Sequence, residues 1–402
     1  MAVSGDAAAS RPCPLCGGWR RSSLYTQRFA VVEESIPLSG YDVVVCDVCG
    51  FGFADGIPSQ DAFDLYYRQM SKYEYHQRDG AESSFDRQRL ARIADLLSPH
   101  IPRAASRILD VGCATGRLLA NLRAHGFANV TGLDPSPVCA LAAGRLYGIT
   151  VVTMTLEMLA STGRQFDVVL MIGVLEHLRE LTATFSQLAA VLPPGGLLYV
   201  EVPDATAFAD WPNAPYQDFS TEHINFFSAQ SLTQLMRRHG FHEVWLERNH
   251  RHQSHQTVMS NVSALYRYEP ASGQVALVRE RETEAGLKRY VADSAEEERR
   301  LDKVIDIVVT QDRPLLVWGV GTHTARLMAT SRLSQAPIVA FLESNARYHG
   351  RTLLGRPIWP PGSLKSRLEP VLISSRVFQK EIADQIRFEL ECTNELILLY
   401  DV

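Results

Sequence analysis

A carboxylate and two glycines lie together in the segment 110–116, directly after an apolar run. The run predicts a short buried strand, and the following residues 117–122 have the pattern of a helix. Glycines are needed where a backbone turns sharply and lets a ligand approach without a Cβ in the way. The segment is therefore predicted to be a tight loop that binds a nucleotide.

A second carboxylate follows the next predicted strand, residues 130–133, where Asp134 precedes Pro135. An acidic residue at this position can accept hydrogen bonds from both hydroxyls of a ribose. The alternative is the loop of a dinucleotide-binding dehydrogenase, but the segment 110–116 lacks the three-glycine G-x-G-x-x-G pattern.

Four of the seven cysteines form two C-x-x-C pairs, Cys13 with Cys16 and Cys46 with Cys49. Two such pairs let four thiolates converge on one zinc ion in tetrahedral geometry. Because four protein ligands leave no open position, we expect a structural zinc that holds together a module with little core of its own. Two unrelated cysteine pairs, or a redox C-x-x-C motif, are the alternatives.

The elements that must position these residues belong to a chain of 402 residues, long enough for two or three domains. Its 46% apolar and 21% charged residues are typical of globular proteins, and the net charge of −5 gives no general attraction to nucleic acid or anionic membranes. No apolar run is long enough to predict a membrane span. Residues 1–10 lack the basic start and apolar core of a signal peptide, so a cytoplasmic location is expected.

Four motifs in order give the region 85–247 a resemblance to class I S-adenosylmethionine-dependent methyltransferases. They are the loop 110–116, Asp134, the strand and turn 166–178, and the turn and strand 192–200. The resemblance implies an α/β, Rossmann-like core that binds S-adenosylmethionine. It implies the following cofactor contacts: Asp110, Gly112, Cys113, Ala114, Gly116, Asp134, Pro135, Leu156, Glu157, Tyr73 and Tyr75. For the two tyrosines, aromatic packing between domains is the alternative.

The order of the modules resembles the three-domain sugar C-methyltransferases, which contain zinc and act on nucleotide-linked keto-sugars. In the C-terminal part, strands alternate with helices around a glycine turn at 319–321, which implies a second parallel sheet. That turn could bind a phosphate at a helix N-terminus, or be only a turn. The expected architecture is a disordered tail (1–10), a zinc-binding module (11–60), a methyltransferase domain (61–262), a connecting helical segment (263–310) and a Rossmann-like domain (311–402).

The resemblance also indicates candidate catalytic residues. Glu222 and His223 match a motif whose histidine acts as base or proton relay in the sugar C-methyltransferases, and a histidine with a pKa near ~6.5 can accept a proton at neutral pH. Ser220 stands where that motif has a tyrosine, so C-, O- and N-methylation all stay open. His177 lies where this class places a histidine near substrate or cofactor. The alternative is that these side chains only hold their loops in place.

These observations predict methyl transfer to a small biosynthetic acceptor such as a nucleotide-linked sugar, as in natural-product pathways, with His223 as general base. A zinc-ribbon RNA methyltransferase is one alternative, although the acidic balance argues against a nucleic-acid partner. A non-catalytic assembly partner that keeps the cofactor fold is another. The sequence does not indicate the oligomeric state.

Overall fold

The computed structural model of the protein describes residues 9–33, 38–69, 82–255, 257–270 and 276–400. Tyr73 and Tyr75, two of the predicted cofactor contacts, lie outside these residues, as does most of the predicted N-terminal tail. The last two residues assigned to that tail belong to the N-terminal module instead. Ala9 pairs with Ile57, and the Ser10 hydroxyl donates to the Asp55 carboxylate, so backbone and side-chain hydrogen bonds hold both in place.

The strands, in chain order, are β1 (Arg21–Arg28), β2 (Gly40–Cys46), β3 (Gly52–Asp55), β4 (Ile108–Val111), β5 (Val130–Leu133), β6 (Val151–Val152), β7 (Val168–Ile172), β8 (Leu197–Pro203), β9 (Asn225–Phe226), β10 (Phe241–His252), β11 (Val258–Tyr268), β12 (Leu315–Trp318), β13 (Ile338–Leu342), β14 (Thr352–Leu353), β15 (Arg356–Trp359), β16 (Val371–Ile373) and β17 (Leu396–Leu398). The helices are α1 (Gln60–Gln69), α2 (Ser84–Leu97), α3 (Arg117–Ala124), α4 (Pro137–Tyr147), α5 (Leu156–Ala160), α6 (Leu181–Val191), α7 (Ala229–Arg238), α8 (Glu282–Gln311), α9 (Thr322–Thr330) and α10 (Gln379–Asp384).

The central sheet has seven strands in the order β10-β11-β8-β7-β4-β5-β6. The strands β4 to β8 run parallel, and β10 and β11 complete the sheet as an antiparallel hairpin beside β8. Every residue of β4 and β8 is buried, as expected for parallel strands covered by helices on both faces. The predicted Rossmann-like α/β core is confirmed.

The two flanking sheets differ in kind. The C-terminal sheet has the order β14-β15-β13-β12-β16-β17 and is parallel except for the β14–β15 pair. The N-terminal sheet is antiparallel, with the order β1-β2-β3-β9, so its fourth strand comes from the middle of the chain. The N-terminal module is therefore interlocked with the central domain by backbone hydrogen bonds.

One predicted domain boundary falls inside a strand. The connecting segment was placed at 263–310, but β11 continues to Tyr268 and pairs with β8 as far as Arg267 opposite Leu197. Residues 263–268 therefore belong to the central sheet, because leaving them out would expose the hydrogen-bonding edge of β8. The connecting helix α8 begins only at Glu282.

Helix α8 packs closely on the central domain at a glycine. A Cβ on Gly286 would lie 2.5 Å from the Thr206 Cα and 2.8 Å from the Thr206 carbonyl oxygen, and backbone atoms cannot rotate away. The same helix buries Leu287 and Tyr290 in an apolar cluster with Phe219 and other residues of the first two domains. None of the described helices is both long and apolar enough to cross a membrane.

We predict that Gly286→Ala destabilises the protein by roughly 1–3 kcal/mol, because the added methyl group overpacks the contact between α8 and Thr206. Gly144→Ala in α4 is the matched control, since nothing lies within 4 Å of its added Cβ. Helix propensity should make that variant more stable by about 0.5–1 kcal/mol. Urea unfolding of both variants measures the difference, and equal effects would contradict the close contact.

Candidate active site

The loop between β4 and α3 has the backbone that the glycine spacing predicted. Gly112, Ala114 and Gly116 have φ angles of 71°, 51° and 77°, in the left-handed region that glycine adopts most readily. Space also excludes a side chain at Gly112, because its Cβ would lie 2.8 Å from the Val174 Cγ2. No side chain caps the start of α3, so its first amide groups are available to a ligand.

Asp134 connects this loop by hydrogen bonds to the loop that follows β5. Its Oδ2 accepts a hydrogen bond of 3.0 Å from the Ala114 amide, and its Oδ1 accepts one of 2.9 Å from the Ser136 amide. The Cys139 thiol also donates to this carboxylate, whose four lone pairs therefore still leave one acceptor position for a ribose hydroxyl. Ser136 also caps α4, and burial raises the pKa of Asp134 above its ordinary value.

Asp110 is buried at the end of β4, with only 4% of its surface exposed. Burial, and then the nearby charge of Asp134, raise its pKa to about 8. The carboxyl group is thus protonated at neutral pH in the ligand-free protein, and a cationic ligand would favour its ionised form.

The other predicted cofactor residues occupy different environments. Cys113 is buried in the glycine loop, and burial raises the pKa of its thiol well above the ordinary value. Leu156 is buried at the first turn of α5, whereas the neighbouring Glu157 is exposed. The exposed carboxylate contributes nothing to the packing of the site, so only its backbone is a candidate for contact with a ligand.

The predicted catalytic residues come together. His177 lies on a 3-10 turn after β7, and His223 precedes β9; their rings are 4.9 Å apart in an edge-to-face arrangement. The His177 Nδ1 lies 3.1 Å from the Glu222 carbonyl oxygen and 3.0 Å from the Tyr67 hydroxyl. A proton on Nδ1 avoids repulsion between that nitrogen and the carbonyl oxygen, which leaves Nε2 as the proton-accepting atom.

Two tyrosines of α1 complete this cluster, and the sequence analysis missed them. The Tyr66 hydroxyl donates a hydrogen bond of 2.7 Å to the Glu222 carboxylate, and Tyr67 contacts His177. Burial, and then the charge of Glu222, raise the pKa of both phenols well above their ordinary value. Their position in a helix directly after the four-cysteine module could have indicated a role in the site. The sequence analysis considered instead Tyr73 and Tyr75, which lie further along the chain.

Two groups of side chains among the described residues are arranged as metal ligands. In the four-cysteine cluster, Cys13 Sγ lies 3.6 Å from Cys49 Sγ, and Cys16 Sγ lies 3.4 Å from Cys46 Sγ. Zinc–sulfur bonds of ~2.3 Å in a tetrahedron place the sulfur atoms about 3.8 Å apart, so the cluster fits a zinc ion.

The second group consists of Glu176, His177 and His223, whose ligand atoms all lie within 4.8 Å of one another. One carboxylate and two imidazoles suit a divalent cation. They equally suit proton transfer, because the Glu176 Oε1 lies 3.8 Å from the His177 Nε2.

In the C-terminal domain, Glu343 accepts backbone hydrogen bonds in the same arrangement as Asp134 does in the central domain. Glu343, at the end of β13, accepts hydrogen bonds from the Val320 amide at 3.1 Å and from the Asn345 amide at 3.0 Å. Asn345 is 3% exposed, and its Nδ2 has no hydrogen-bond partner among the described residues. Burial, and then the charges of Glu222 and Glu343, raise the pKa of Tyr348.

Comparison with known proteins bears on the central domain. Residues 83–245 match the family model of a methyltransferase domain. The chain is 35% identical over 130 residues to a ubiquinone biosynthesis O-methyltransferase of Chelativorans sp. (strain BNC1), covering 29% of this chain and 51% of that protein. It is 32% identical over 122 residues to the corresponding protein of Xylella fastidiosa (strain 9a5c), covering 29% and 49%. The chain thus spans about half the length of these relatives.

Among solved structures, the N1-methyltransferase for 1,6-didemethyltoxoflavin of Burkholderia thailandensis is 21% identical. The likeness covers 55% of this chain and 96% of that one, with a TM-score of 0.41. With the glycine loop and the parallel sheet, the matched family model confirms the prediction for the central domain: residues 83–245 form a class I S-adenosylmethionine-dependent methyltransferase domain.

We predict that Asp110→Asn makes the ligand-free protein more stable than wild type, by an amount that grows between about pH 5 and pH 8. The ordinary pKa of the Asp110 carboxyl group is 3.8, whereas its pKa in the folded protein is about 8. Between these two pKa values the wild-type protein takes up a proton when it folds, so its free energy of unfolding falls as the pH rises. The asparagine variant has no such titration, and urea unfolding at several pH values measures the difference.

Asp167→Asn is the control for this prediction. Burial alone would raise the pKa of Asp167, but hydrogen bonds from Arg107 outweigh it and lower the pKa overall. That carboxylate is ionised in both the folded and unfolded states above about pH 5, so its replacement should destabilise by a constant amount. A difference between Asp110→Asn and wild type that does not change with pH would overturn the assignment.

Proposed function

We propose that this protein transfers the methyl group of S-adenosylmethionine to a small biosynthetic acceptor, and that the acceptor is a nucleotide-linked sugar. The observation that carries this proposal is the hydrogen bonding of Glu343, which holds the second glycine turn as Asp134 holds the first. The C-terminal domain could therefore hold the nucleotide of an acceptor whose sugar lies at the cluster of Glu222 and His223.

The residues around the glycine loop suit the cofactor. Asp134 has an acceptor position left for a ribose hydroxyl, and the loop amides at the start of α3 face the same edge of the sheet. The buried acid Asp110 suits a cationic ligand, because such a ligand would supply the countercharge that its ionised form lacks. When bound, S-adenosylmethionine supplies a methyl group already activated for displacement.

His223 is the proposed general base. It would take the proton from the attacking carbon, oxygen or nitrogen of the acceptor as the new bond to the methyl group forms. His177 packs against its ring, and the Tyr66 hydroxyl fixes the Glu222 carboxylate beside it. Tyr66 and Tyr67 are half-buried and limit the access of water to these groups, and Tyr67 helps to hold His177 in one orientation.

The C-terminal domain is the proposed holder of the nucleotide. Its turn at 319–321 is fixed by Glu343 as the first loop is fixed by Asp134, and a carboxylate in this position can also accept hydrogen bonds from a ribose. A nucleotide bound there would direct its sugar toward Glu222 and His223. The ubiquinone-pathway relatives match only 29% of this chain, so they give no guide to this part of the ligand.

We also propose that Cys13, Cys16, Cys46 and Cys49 hold a structural zinc ion. The separations of their sulfur atoms suit tetrahedral coordination, and four thiolates leave no position for a substrate. All seven cysteines lie in the described residues and none is paired in a disulfide. Reduced thiols suit a reducing compartment, and we place the protein in the cytoplasm on this ground.

Thermal unfolding and a transfer assay test the proposed function together. We expect S-adenosylhomocysteine to raise the Tm, one class of nucleotide sugars to raise it further, and wild-type protein to methylate that sugar. In His223→Gln the Tm shift with S-adenosylhomocysteine should persist, while turnover falls roughly 10²–10⁴-fold because the base is lost. The exposed His125, paired with Asp95, provides a control in His125→Gln, which should behave as wild type.

Other outcomes of these assays would point elsewhere. Methylation of RNA, with no response to any nucleotide sugar, would favour the zinc-ribbon RNA methyltransferase. Binding of S-adenosylhomocysteine without transfer to any acceptor would favour the non-catalytic assembly partner. A strict requirement for an added divalent cation would assign Glu176, His177 and His223 to metal binding and remove His223 as the base.

We predict one zinc ion per chain by elemental analysis of the purified protein. Cys46→Ser should lose the metal and lower the Tm, because three remaining thiolates bind zinc less tightly and the N-terminal module depends on it. Cys392→Ser is the matched control, since Cys392 lies outside the four-cysteine cluster. Wild-type protein free of zinc, with an unchanged Tm after chelation, would contradict the zinc site.

A further inference from the structure

We infer that Arg11 is a positioning residue that holds the segments bearing His177 and His223 together and connects them to the four-cysteine module. The inference rests on the proposed function, because it assigns Arg11 a purpose through the two histidines. Arg11 lies two positions before Cys13, and only 2% of its surface is exposed.

The guanidinium group of Arg11 donates to three separate segments. Its Nε donates to the Ala54 carbonyl at 3.0 Å, within the N-terminal sheet. Its Nη1 donates to the Arg179 carbonyl at 3.0 Å, two positions after His177. Its Nη2 donates to the Ile224 carbonyl at 2.7 Å, directly after His223. One planar side chain thus fixes the distance between the two histidine-bearing segments.

Neighbouring hydrogen bonds make this junction stiff. The Ile224 amide donates to the Glu176 carbonyl at 2.8 Å. The Asn225 side chain accepts from Arg11 at 3.1 Å and donates to the Leu175 and Leu178 carbonyls at 2.8 and 2.7 Å, on both sides of His177. A small displacement of Arg11 would therefore move both histidines rather than one.

The charge of Arg11 argues for a specific role. Among the described residues, its side-chain partners are carbonyl and amide oxygens and the face of Phe53, whose ring centre lies 5.4 Å from the guanidinium carbon. Burying a cation without a carboxylate in direct contact is costly, and an apolar side chain of similar volume could fill the space. What an apolar side chain could not do is join three backbone carbonyls at fixed positions, because that requires several donors in a rigid plane.

Arg11→Lys tests the inference, with Arg20→Lys as matched control. Lysine keeps the charge but cannot reach all three carbonyls, so we expect kcat to fall on the order of 10²-fold with little change in the KM for either substrate. Arg20 belongs to the same module, and its side chain is exposed. Arg20→Lys should change neither the Tm nor kcat.

A spectroscopic measurement keeps the test independent of activity. In protein labelled at histidine, the ring resonances of His177 and His223 should shift or broaden in Arg11→Lys, and should stay at their wild-type positions in Arg20→Lys. The two resonances are assigned from His177→Gln and His223→Gln spectra. Removal of the metal from wild-type protein by a chelator should move the same two resonances.

Wild-type histidine resonances and a wild-type kcat in folded Arg11→Lys would overturn the inference. If Arg11→Lys does not fold, the chelator experiment decides, and unmoved resonances after loss of zinc would overturn it as well. If wild-type protein methylates no acceptor, the proposed function fails, whereas the histidine resonances still report whether Arg11 sets their positions.

Discussion

The backbone between His223 and Phe227 forms hydrogen bonds with two domains at once, and the arrangement of His177 and His223 depends on these bonds. The Ile224 carbonyl accepts from the Ala54 amide at 2.9 Å and from Arg11, while its amide donates toward the turn that carries His177. The next residues form β9, the outer strand of the N-terminal sheet. A segment held from both sides cannot move with either domain alone. The N-terminal module is therefore part of the framework that positions His177 and His223, and not an appended unit.

The same local device appears in both Rossmann-like domains. A carboxylate at the end of the second strand accepts from the backbone of the glycine turn and from the amide two positions further on, with Asp134 in one domain and Glu343 in the other. Such a carboxylate stabilises the conformation of the turn, because it accepts hydrogen bonds from backbone amides that would otherwise lack a partner. The two Rossmann-like domains thus share one way of fixing a glycine turn next to a strand end.

The electrostatics of the cluster follow from burial. Asp110 and the phenols of Tyr66 and Tyr67 lie where water is largely excluded, so their charged forms are disfavoured. The neutral phenols can then donate to Glu222 and contact His177 without competing for the proton of an acceptor.

Local patterns in the sequence determined the strand–loop–helix units, the cofactor loop with Asp134, the paired cysteines and the Glu222–His223 motif, because each depends on residues close together in the chain. The end of the central sheet was misplaced at 262, inside an apolar run that continues to Tyr268, because the residues near that position do not reveal that β11 pairs with β8. Tyr66, Tyr67 and Arg11 gave no local indication of a role in the site either. Their partners in the site lie more than a hundred residues away, and only the packing of the N-terminal module and α1 against the central domain brings them to the histidines. Spacing along a chain specifies what a loop can bind, whereas the surroundings of a catalytic side chain are decided by contacts that form only when the domains meet.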